Sequence, residues 1–432
     1  MTLPYSNAKF GRDTYKRLMS ILYLRLAFLL VRVLPFTLYL RIIVNSVVVQ
    51  GNSSAKQSIL CLPKPLFDKD FEQLSYRLRG YGWIWFMKDL FTVCHDGLVP
   101  RGSRRQKAYV QDVFRNGAAW DKVVGKARVL MSTLREEKGV CCIMTANIDY
   151  WQDHALKVAC RDLGLPVVVL QKEYPITEPV AAKFAKQYKG WNPHADLIAV
   201  AGKRALDSLV EAGIGSFCKV VVTGFPRLDR YRSVDVSSDR RASRRTTLLS
   251  FREGYGRNSE IEFFHFLDFL LGIVHGDAEI IVKAKSGKDA SVISAGLRRL
   301  LSPPAKVALV VSSHMPLYDA FSTSRVIVGL NSLSIVEALL SHAQILIPAY
   351  IFSDAPILSE SQCLEAGVHF ARSEEEFREK YLDALEGYAA PISSSLLSNR
   401  KKVFSEYWRW DDSYSACELF RIALEELLQE RS

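Results

Sequence analysis

Short apolar runs alternate along this chain with longer stretches that have a helical pattern. The runs at 139–147 (GVCCIMTAN), 167–173 (VVVLQKE) and 278–285 (AEIIVKAK) do not show the alternation of a half-exposed strand, so we predict buried strands there. Stretches between such runs, for example 149–166 and 203–214, predict helices. Buried strands that alternate with helices predict an α/β fold in which parallel sheets are covered on both faces.

The alternation is interrupted at 230–245 (RYRSVDVSSDRRASRR), which is rich in Arg, Ser and Asp and has no apolar periodicity. We interpret this stretch as an exposed linker, so the pattern indicates two α/β domains. The predicted organisation is an N-terminal segment 1–50, a first domain 51–229, the linker 230–245, a second domain 246–406 and a C-terminal helix 407–432 that crosses back.

The N-terminal stretch 21–49 is strongly apolar, but Arg25, Arg32 and Arg41 interrupt it and Pro35 splits it. A central arginine is costly in a membrane-spanning helix, and a signal peptide would have an uninterrupted apolar core. Arg25 and Arg32 are seven positions apart and share one helix face, which is typical of a basic amphipathic helix in a membrane interface. The alternative is a helix packed on the first domain with its arginines pointing outward.

The charge of the chain indicates an anionic partner. The formal net charge is +11, and residues 1–50 contain seven cations and one acid. The eight cysteines are scattered without CxxC or Cys/His ligand spacing, which favours free thiols in a reducing cytoplasm and gives no metal motif. The chain shows neither a GxGxxG nor a Walker A pattern. It also has no aromatic-basic motif, so nucleic-acid binding is not predicted.

One carboxylate interrupts the apolar pattern of 326–350. A predicted strand ends near Leu330, a small polar turn follows, and Glu337 lies in the helix after it. Ligands of open α/β sheets bind outside the carboxyl ends of strands, and a helix N-terminus favours phosphate. Ser332 or Ser334 can contact a phosphate there, and Glu337 can accept hydrogen bonds from a ribose diol. The alternative is a plain S-x-x-E capping box of Ser334 and Glu337.

Four stretches of the chain occur in the order HADLIAVAGKRALDSLVEAGIGSFCKVVVTGFPRLDRY (194–231), EIIVKAKSG (279–287), GLNSLSIVEALLSHAQILIP (329–348) and YWRWDDSYSACELFRIALEELL (407–428). In this order they resemble the GT-B glycosyltransferases of bacterial surface and capsular polysaccharide synthesis, including the CDP-glycerol glycerophosphotransferase-like group. The resemblance covers roughly 140–428. The chain departs from the family pattern at QKEYPITEP, where a His-Gly motif is usual, at KAKSG and at Asp411-Asp412.

The resemblance implies two Rossmann-like domains that face each other across a cleft, preceded by the N-terminal apolar basic helical segment. It also implies a nucleotide-sugar donor site in the second domain. The candidate donor-binding residues are Asn331, Ser332, Ser334, Glu337, Lys283, Lys285 and Arg252.

Lys283 and Lys285 alternate along a strand end, so we expect only one of them to enter the cleft and neutralise a donor diphosphate without a metal. The alternative is a solvated pair of lysines. Arg252 ends the first strand of the second domain beside two glycines that permit close backbone approach, which is compatible with a nucleotide contact. The alternative is a simple loop. Arg227 and Asp229 are predicted to pair locally and shape the turn before the linker.

The catalytic base is expected in the first domain. Glu173 is the first candidate and Asp149 the second, because both follow a predicted strand directly and a carboxylate can deprotonate an acceptor hydroxyl. Asp153 and His154 lie inside a helix and are predicted to be solvated or packing residues.

The resulting hypothesis is a glycosyltransferase, peripheral at the cytoplasmic face of the inner membrane. It would move a sugar from a nucleotide-sugar co-substrate, with no other cofactor, to a lipid-linked or polysaccharide acceptor. Its further partner would be an anionic membrane surface. The alternatives are a non-hydrolysing sugar-nucleotide 2-epimerase, a glycerophosphotransferase and a catalytically silent polysaccharide assembly protein.

Overall fold

The chain forms two compact units. The first comprises Met1–Arg227 with Asp411–Ser432, and the second comprises Leu228–Trp410. The computed structural model describes residues 26, 29–51, 57–62, 64, 67–86, 88–95, 98, 117–172, 178–233, 245–249, 257–274, 278–300, 308–329, 333–351, 357–386 and 392–431.

A seven-stranded sheet forms the centre of the first unit. Its strands are β1 (Val48–Gly51), β2 (Ser58–Cys61), β3 (Gly82–Trp85), β4 (Val140–Ala146), β5 (Val167–Gln171), β6 (Leu197–Val200) and β7 (Lys219–Val222). They lie in the order β1-β3-β2-β4-β5-β6-β7. All neighbours pair in parallel except β1, which pairs antiparallel with β3 at the edge of the sheet.

Helices cover both faces of this sheet. They are α1 (Phe36–Asn45), α2 (Asp68–Arg77), α3 (Lys88–Thr92), α4 (Gly117–Lys138), α5 (Trp151–Asp162), α6 (Glu178–Tyr188), α7 (Lys203–Glu211) and, after the chain returns, α15 (Ala416–Arg431). Alternate residues of one strand enter different cores: Val167 and Val169 join the core beneath α4 and α5, whereas Val168 and Leu170 join the core beneath α15. The continuous apolar runs of the sequence therefore reflect burial on two sides.

Part of the N-terminal stretch packs into the first unit. Helix α1 buries Tyr39, Leu40, Ile43 and Val44, and the Tyr39 hydroxyl donates a hydrogen bond to the Leu90 carbonyl at 2.7 Å. This is the packed arrangement that the sequence left open for the segment. Among the described helices, none combines the length and the apolar character needed to cross a bilayer.

The described arginines of this stretch lie at the surface. Arg32 and Arg41 are exposed, and Arg41 forms a 2.9 Å ion pair with Glu137. Arg25 lies outside the described residues. The two described arginines therefore point away from the core, as the packed alternative predicts.

The second unit contains a six-stranded sheet in which all neighbours pair in parallel. Its strands are β8 (Arg245–Leu249), β9 (Glu279–Lys283), β10 (Ala308–Ser312), β11 (Val326–Val328), β12 (Gln344–Pro348) and β13 (Val368–Ala371). They lie in the order β10-β9-β8-β11-β12-β13. The α/β class and the two predicted sheets are thus confirmed.

The helices of the second unit alternate with its strands. They are α8 (Arg257–Ile273), α9 (Gly287–Leu300), α10 (Leu317–Thr323), α11 (Ser334–Ala338), α12 (Glu360–Glu365), α13 (Glu374–Glu386) and α14 (Ser394–Tyr407). One core joins β8, β9, β11 and β12 to aromatic residues of α8 and α13, in which Phe266 and Phe377 pack edge to face with ring centroids 5.1 Å apart. All eight cysteines of the chain are free thiols, as predicted.

Candidate functional site

The strand order of the second sheet identifies the edge that is the candidate for ligand binding. The chain forms β8 in the middle of the sheet, adds β9 and β10 on one side, and returns to add β11 on the other side. In such sheets, ligands bind where the order reverses, outside the carboxyl ends of the strands. Here the reversal lies between β8 and β11. Glu337 lies in α11, which is the next helix after β11.

Glu337 is buried at this edge, with 8% of its surface exposed. The Tyr231 hydroxyl donates a hydrogen bond to Oε1 of Glu337 at 3.1 Å. Tyr231 belongs to the 3-10 segment Pro226–Ser233, and its ring packs edge to face on Tyr318, with the centroids 4.9 Å apart. The sequence pattern indicates Glu337 but gives no sign of Tyr231, because nothing in the local pattern links two residues 106 positions apart.

The capping-box alternative for Ser334 and Glu337 does not form. Helix α11 begins at Ser334 with Leu333 at its N-cap, and the N-cap makes no side-chain capping hydrogen bond. The close packing of α11 on the sheet depends on Gly329, the residue that follows β11. A Cβ atom at Gly329 would lie 2.0 Å from Cδ1 of buried Ile335. Glycine therefore allows α11 to pack closely against the strand end.

The two candidate lysines have different environments, because Lys283 ends β9 and Lys285 lies beyond the strand. Lys283, at the end of β9, is half-buried, and its ammonium donates hydrogen bonds to the carbonyls of Ala284 at 2.6 Å and Ser313 at 3.5 Å. Lys285 is exposed. Beyond them, Ser286 accepts a hydrogen bond from the backbone N–H of Asp289, which caps the first turn of α9.

Four candidates lie outside the described residues: Glu173, Arg252, Asn331 and Ser332. Ser334 lies in the same short helix as Glu337 and is half-buried. The described part of the donor-site candidates is therefore Glu337 and Ser334 on α11, together with Lys283 and Lys285 after β9.

The first unit has its own reversal of strand order, between β2 and β4. Asn147 follows β4 in the left-handed region with φ 53°, which asparagine adopts more readily than most residues. Its side-chain oxygen accepts a hydrogen bond from the backbone N–H of Lys172 at 2.9 Å, and the N–H of Ile148 donates to the Gln171 side chain at 2.9 Å. The turn is therefore bound on both sides to the end of β5.

Asp149 is presented by this turn. It is 9% exposed, and the hydroxyl of buried Tyr188 donates a 2.5 Å hydrogen bond to its Oδ2. Below the turn, the ammonium of Lys157 donates to the Ile148 carbonyl at 2.6 Å. Burial lowers the pKa of Lys157 to about 8, and nearby Asp153 and Asp149 partly oppose this shift.

Asp153 is fully buried rather than solvated. Within the described part of the chain, neither of its carboxylate oxygens accepts a hydrogen bond, and the Lys64 ammonium lies 3.8 Å from Oδ1. That ammonium also lies 3.6 Å from the centre of the Tyr150 ring and donates to the Gln152 side chain at 3.1 Å. Of the two options predicted for Asp153, a solvated or a packing residue, the second is observed, because the start of α5 places it in the interior beside a buried cation.

His154 is a packing residue, which was the other option given for it. Its ring packs on Trp120 and His194, with centroid separations of 5.3 Å and 5.1 Å. Burial lowers the pKa of His154 well below its ordinary range and that of His194 to about 4. Both imidazoles are therefore neutral at physiological pH.

Arg227 and Asp229 each have a described ion pair with another residue, and the local pairing of the two stays a prediction. Arg227 forms an ion pair with buried Asp70 at 3.1 Å, and its backbone N–H donates to the same carboxylate at 3.0 Å. Asp229 instead lies 3.6 Å from Arg232. In the described ranges, no cluster of three or more His, Cys, Asp or Glu side chains could hold a metal ion.

Comparisons with known proteins agree on the fold. No protein-family model matches the chain, and no curated protein matches it. A solved structure from Listeria monocytogenes, assigned as a UDP-N-acetylglucosamine 2-epimerase, superimposes with a TM-score of 0.53 at 11% identity, covering 87% of this chain and 98% of that one. This likeness shows that the chain has the GT-B fold.

Two further solved structures superimpose less well. MurG from Acinetobacter baumannii gives a TM-score of 0.45 at 11% identity, covering 87% of this chain and 99% of that one. A glycosyltransferase from Rickettsia africae gives a TM-score of 0.48 at 10% identity, with coverage of 87% and 99%.

Proposed function

We propose that the protein is a GT-B glycosyltransferase that moves a sugar from a nucleotide-activated donor to a lipid-linked or polysaccharide acceptor in surface polysaccharide synthesis. The observation that carries this proposal is Glu337, a buried carboxylate at the reversal of strand order in the second sheet. A carboxylate in that position can accept hydrogen bonds from both hydroxyls of a ribose, and such bonds to an ionised acceptor are stronger than neutral ones.

The donor diphosphate requires positive charge, and this unit supplies two candidate lysines at the end of β9. In this proposal, Lys283 or Lys285 stabilises the nucleoside diphosphate as it leaves, which is electrostatic stabilisation without a metal. Ser334 contributes a hydroxyl from α11. Asn331, Ser332 and Arg252 complete the proposed donor-binding set on the strength of the sequence pattern alone.

On the acceptor side, we assign the general base to Asp149, with Glu173 as the other candidate from the sequence. The base would remove the proton from an acceptor hydroxyl while the hydroxyl oxygen bonds to the anomeric carbon of the sugar. The bond from that carbon to the diphosphate oxygen breaks in the same reaction. Asp149 suits this role because Tyr188 and the 147–149 turn hold it in one orientation.

Association with the cytoplasmic face of the inner membrane is a further part of the proposal. Large apolar side chains are exposed near the N-terminus, including Leu29 at 60%, Val33 at 79% and Leu38 at 54%. The sequence around them is basic. Apolar side chains together with basic charge favour an anionic lipid surface. We expect the protein to float with vesicles of phosphatidylglycerol and not of phosphatidylcholine, and the Leu29→Glu, Val33→Glu double variant to stay unbound; equal flotation of both proteins would contradict this.

Ligand-dependent thermal stabilisation tests the donor site. Wild type, Glu337→Gln and the control Glu379→Gln, which makes the same charge change at an exposed site of the same unit, are scanned with UDP, CDP, GDP, CMP and their sugar conjugates. Ligand at 100 times Kd raises the free energy of unfolding by about 2.7 kcal/mol. One nucleotide class should stabilise wild type and the control but not Glu337→Gln. If no nucleotide stabilises wild type, the proposal fails.

A sugar-nucleotide 2-epimerase is the second candidate, because the Listeria monocytogenes protein that shares the fold is assigned that activity. An epimerase converts a sugar nucleotide at C2 with no acceptor present, whereas a transferase needs an acceptor. Incubation with UDP-N-acetylglucosamine alone, followed by NMR of the sugar, separates the two. CDP-glycerol in the same panel tests a glycerophosphotransferase. A chain that binds nucleotide but turns over no conjugate with any acceptor would favour the silent assembly protein.

A further inference from the structure

The segment that opens the second unit is joined to the candidate donor site by side chains that the proposed function does not use. Its residues Arg230, Tyr231 and Arg232 all contact other parts of this unit. The Tyr231 hydroxyl donates to Glu337 at 3.1 Å, and the Arg230 guanidinium lies over the Tyr318 ring at 5.3 Å. The Arg232 guanidinium lies 4.7 Å from the centre of the Trp410 ring.

These contacts leave Tyr231 little freedom. Its residue surface is only 7% exposed, and its ring stands at 76° to that of Tyr318. A hydroxyl on a ring fixed in this way presents its proton in one direction. Because the hydrogen bond weakens steeply away from linear geometry, the bond from Tyr231 restricts the orientation of the Glu337 carboxylate.

An unrestrained glutamate side chain can rotate about three bonds, and this freedom is lost when it binds a ligand. A partner that holds the carboxylate before the ligand arrives reduces that loss, which is the general effect of preorganisation on affinity. The benefit applies only to ligands that use the carboxylate. A ribose with both hydroxyls uses it fully, and a 2′-deoxyribose loses one of the two bonds.

We propose that Tyr231 is a positioning residue for Glu337, and that it sets the preference of the donor site for ribonucleotides over 2′-deoxyribonucleotides. This inference rests on the proposed function, since it assumes that Glu337 binds the ribose. It differs from a role in bracing the segment, because bracing would change the binding of both nucleotides equally.

Tyr231→Phe tests the inference, because it removes the hydroxyl and keeps the ring on Tyr318. The matched control is Tyr318→Phe, which removes a hydroxyl from the other ring of the same pair. Tyr231→Met is a second variant without the donor, should the first not fold. Dissociation constants are measured by calorimetry for UDP, CDP and GDP and for their 2′-deoxy analogues.

We expect Tyr231→Phe to reduce the ratio of ribo- to deoxyribonucleotide affinity about five- to tenfold, which lies within the usual net contribution of one hydrogen bond. The loss should appear in the ribonucleotide constant, and Tyr318→Phe should keep the wild-type ratio. In a Glu337→Gln background, Tyr231→Phe should change the ratio no further, since the two residues act through one contact.

Two different failures can be distinguished. If folded Tyr231→Phe and Tyr231→Met both keep the wild-type ratio while Glu337→Gln abolishes it, the inference about Tyr231 is overturned and the donor site stands. If wild type binds none of these nucleotides, or Glu337→Gln keeps the ratio, the donor site itself is wrong and the inference falls with it.

Discussion

The two sheets place a buried carboxylate at the same topological position but give it opposite surroundings. In the first unit, Asp153 is completely buried, with the Lys64 ammonium at 3.8 Å and the buried Lys157 one helical turn away. In the second unit, Glu337 is 8% exposed and receives a hydrogen bond from the neutral phenol of Tyr231. Protein cations therefore lie near the Asp153 carboxylate, whereas this hydrogen bond of Glu337 comes from a neutral donor.

This difference distinguishes Asp153, which belongs to a structural ion pair, from Glu337, the proposed binding residue. Desolvating a charge costs several kcal/mol, and a buried pair is stable only while both partners are present. A carboxylate held by a hydroxyl can exchange or share that partner with the hydroxyls of a ligand at little electrostatic cost. We therefore expect substitution of Asp153 to affect mainly stability, and substitution of Glu337 to affect mainly ligand binding.

The largest expected effect follows from removing the charge of Asp153. Asp153→Asn leaves the buried ammonium groups of Lys64 and Lys157 without this carboxylate, which should lower the free energy of unfolding by about 3–5 kcal/mol. Glu337→Gln should lower it by less than about 1 kcal/mol, because an amide oxygen can still accept the hydrogen bond from Tyr231. Urea unfolding followed by circular dichroism measures both values.

A control isolates the cause of the Asp153 effect. Lys64→Met combined with Asp153→Asn should be less destabilising than the sum of the two single changes. In the double variant, the Lys64 ammonium that faced the Asp153 carboxylate is removed together with it. Equal losses for Asp153→Asn and Glu337→Gln would show that the two edges do not differ in the way proposed.

The sequence predicted the fold better than it predicted the sites. Long apolar runs identified most parallel strands, because burial on both faces leaves a continuous signal. The pattern did not indicate β1, β3 or β13. Strand β1 lies in the stretch assigned to the N-terminal segment. A four-residue run such as β3 (GWIW) or β13 fits a helix as well as a strand, so its pattern alone does not decide between them.

Candidate residues were predictable where they lie in the turn or the helix after a strand, as Asp149 and Glu337 do. Their partners were not, because Tyr188 and Tyr231 are 39 and 106 positions away in the chain. Arg400 is a similar case. It is fully buried and donates hydrogen bonds to the carbonyls of Ala366, Ser341 and Ala343, although an arginine in an amphipathic helix is usually assigned to the surface.

Per unit of pH, the next effect in size is the loss of stability of the first unit in acid. Burial holds the pKa of His154 well below its ordinary range and that of His194 at about 4, whereas both are about 6.5 in an unfolded chain. As the pH falls from about 6.5 toward 4, the unfolded chain therefore binds protons that the folded one does not. The first unit should lose about 1.4 kcal/mol per pH unit for each of these histidines.

Calorimetry between pH 7.5 and 4.5 measures this slope. In His194→Asn, the side chain does not titrate and asparagine tolerates the φ of 51° at this position, so the slope should be reduced by one proton. The control is His314→Asn, at an exposed site of the second unit, which should keep the wild-type slope. An unchanged slope in His194→Asn would show that this histidine is protonated in the folded protein.

The smallest effect, and the most specific to the second edge, comes from adding one methyl group at Gly329. Gly329→Ala places a Cβ 2.0 Å from Cδ1 of buried Ile335, and such overpacking costs about 1–3 kcal/mol. Because Ile335 is two residues before Glu337, its displacement should also weaken nucleotide binding. Gly272→Ala is the matched control, since a Cβ there meets nothing within 4 Å and alanine favours the helix by about 0.5–1 kcal/mol. Both variants are compared by thermal unfolding with and without the stabilising nucleotide. A Gly329→Ala protein that is destabilised but keeps the full stabilisation by nucleotide would show that the position of α11 does not determine binding, and the proposed role of Glu337 would then have to be abandoned.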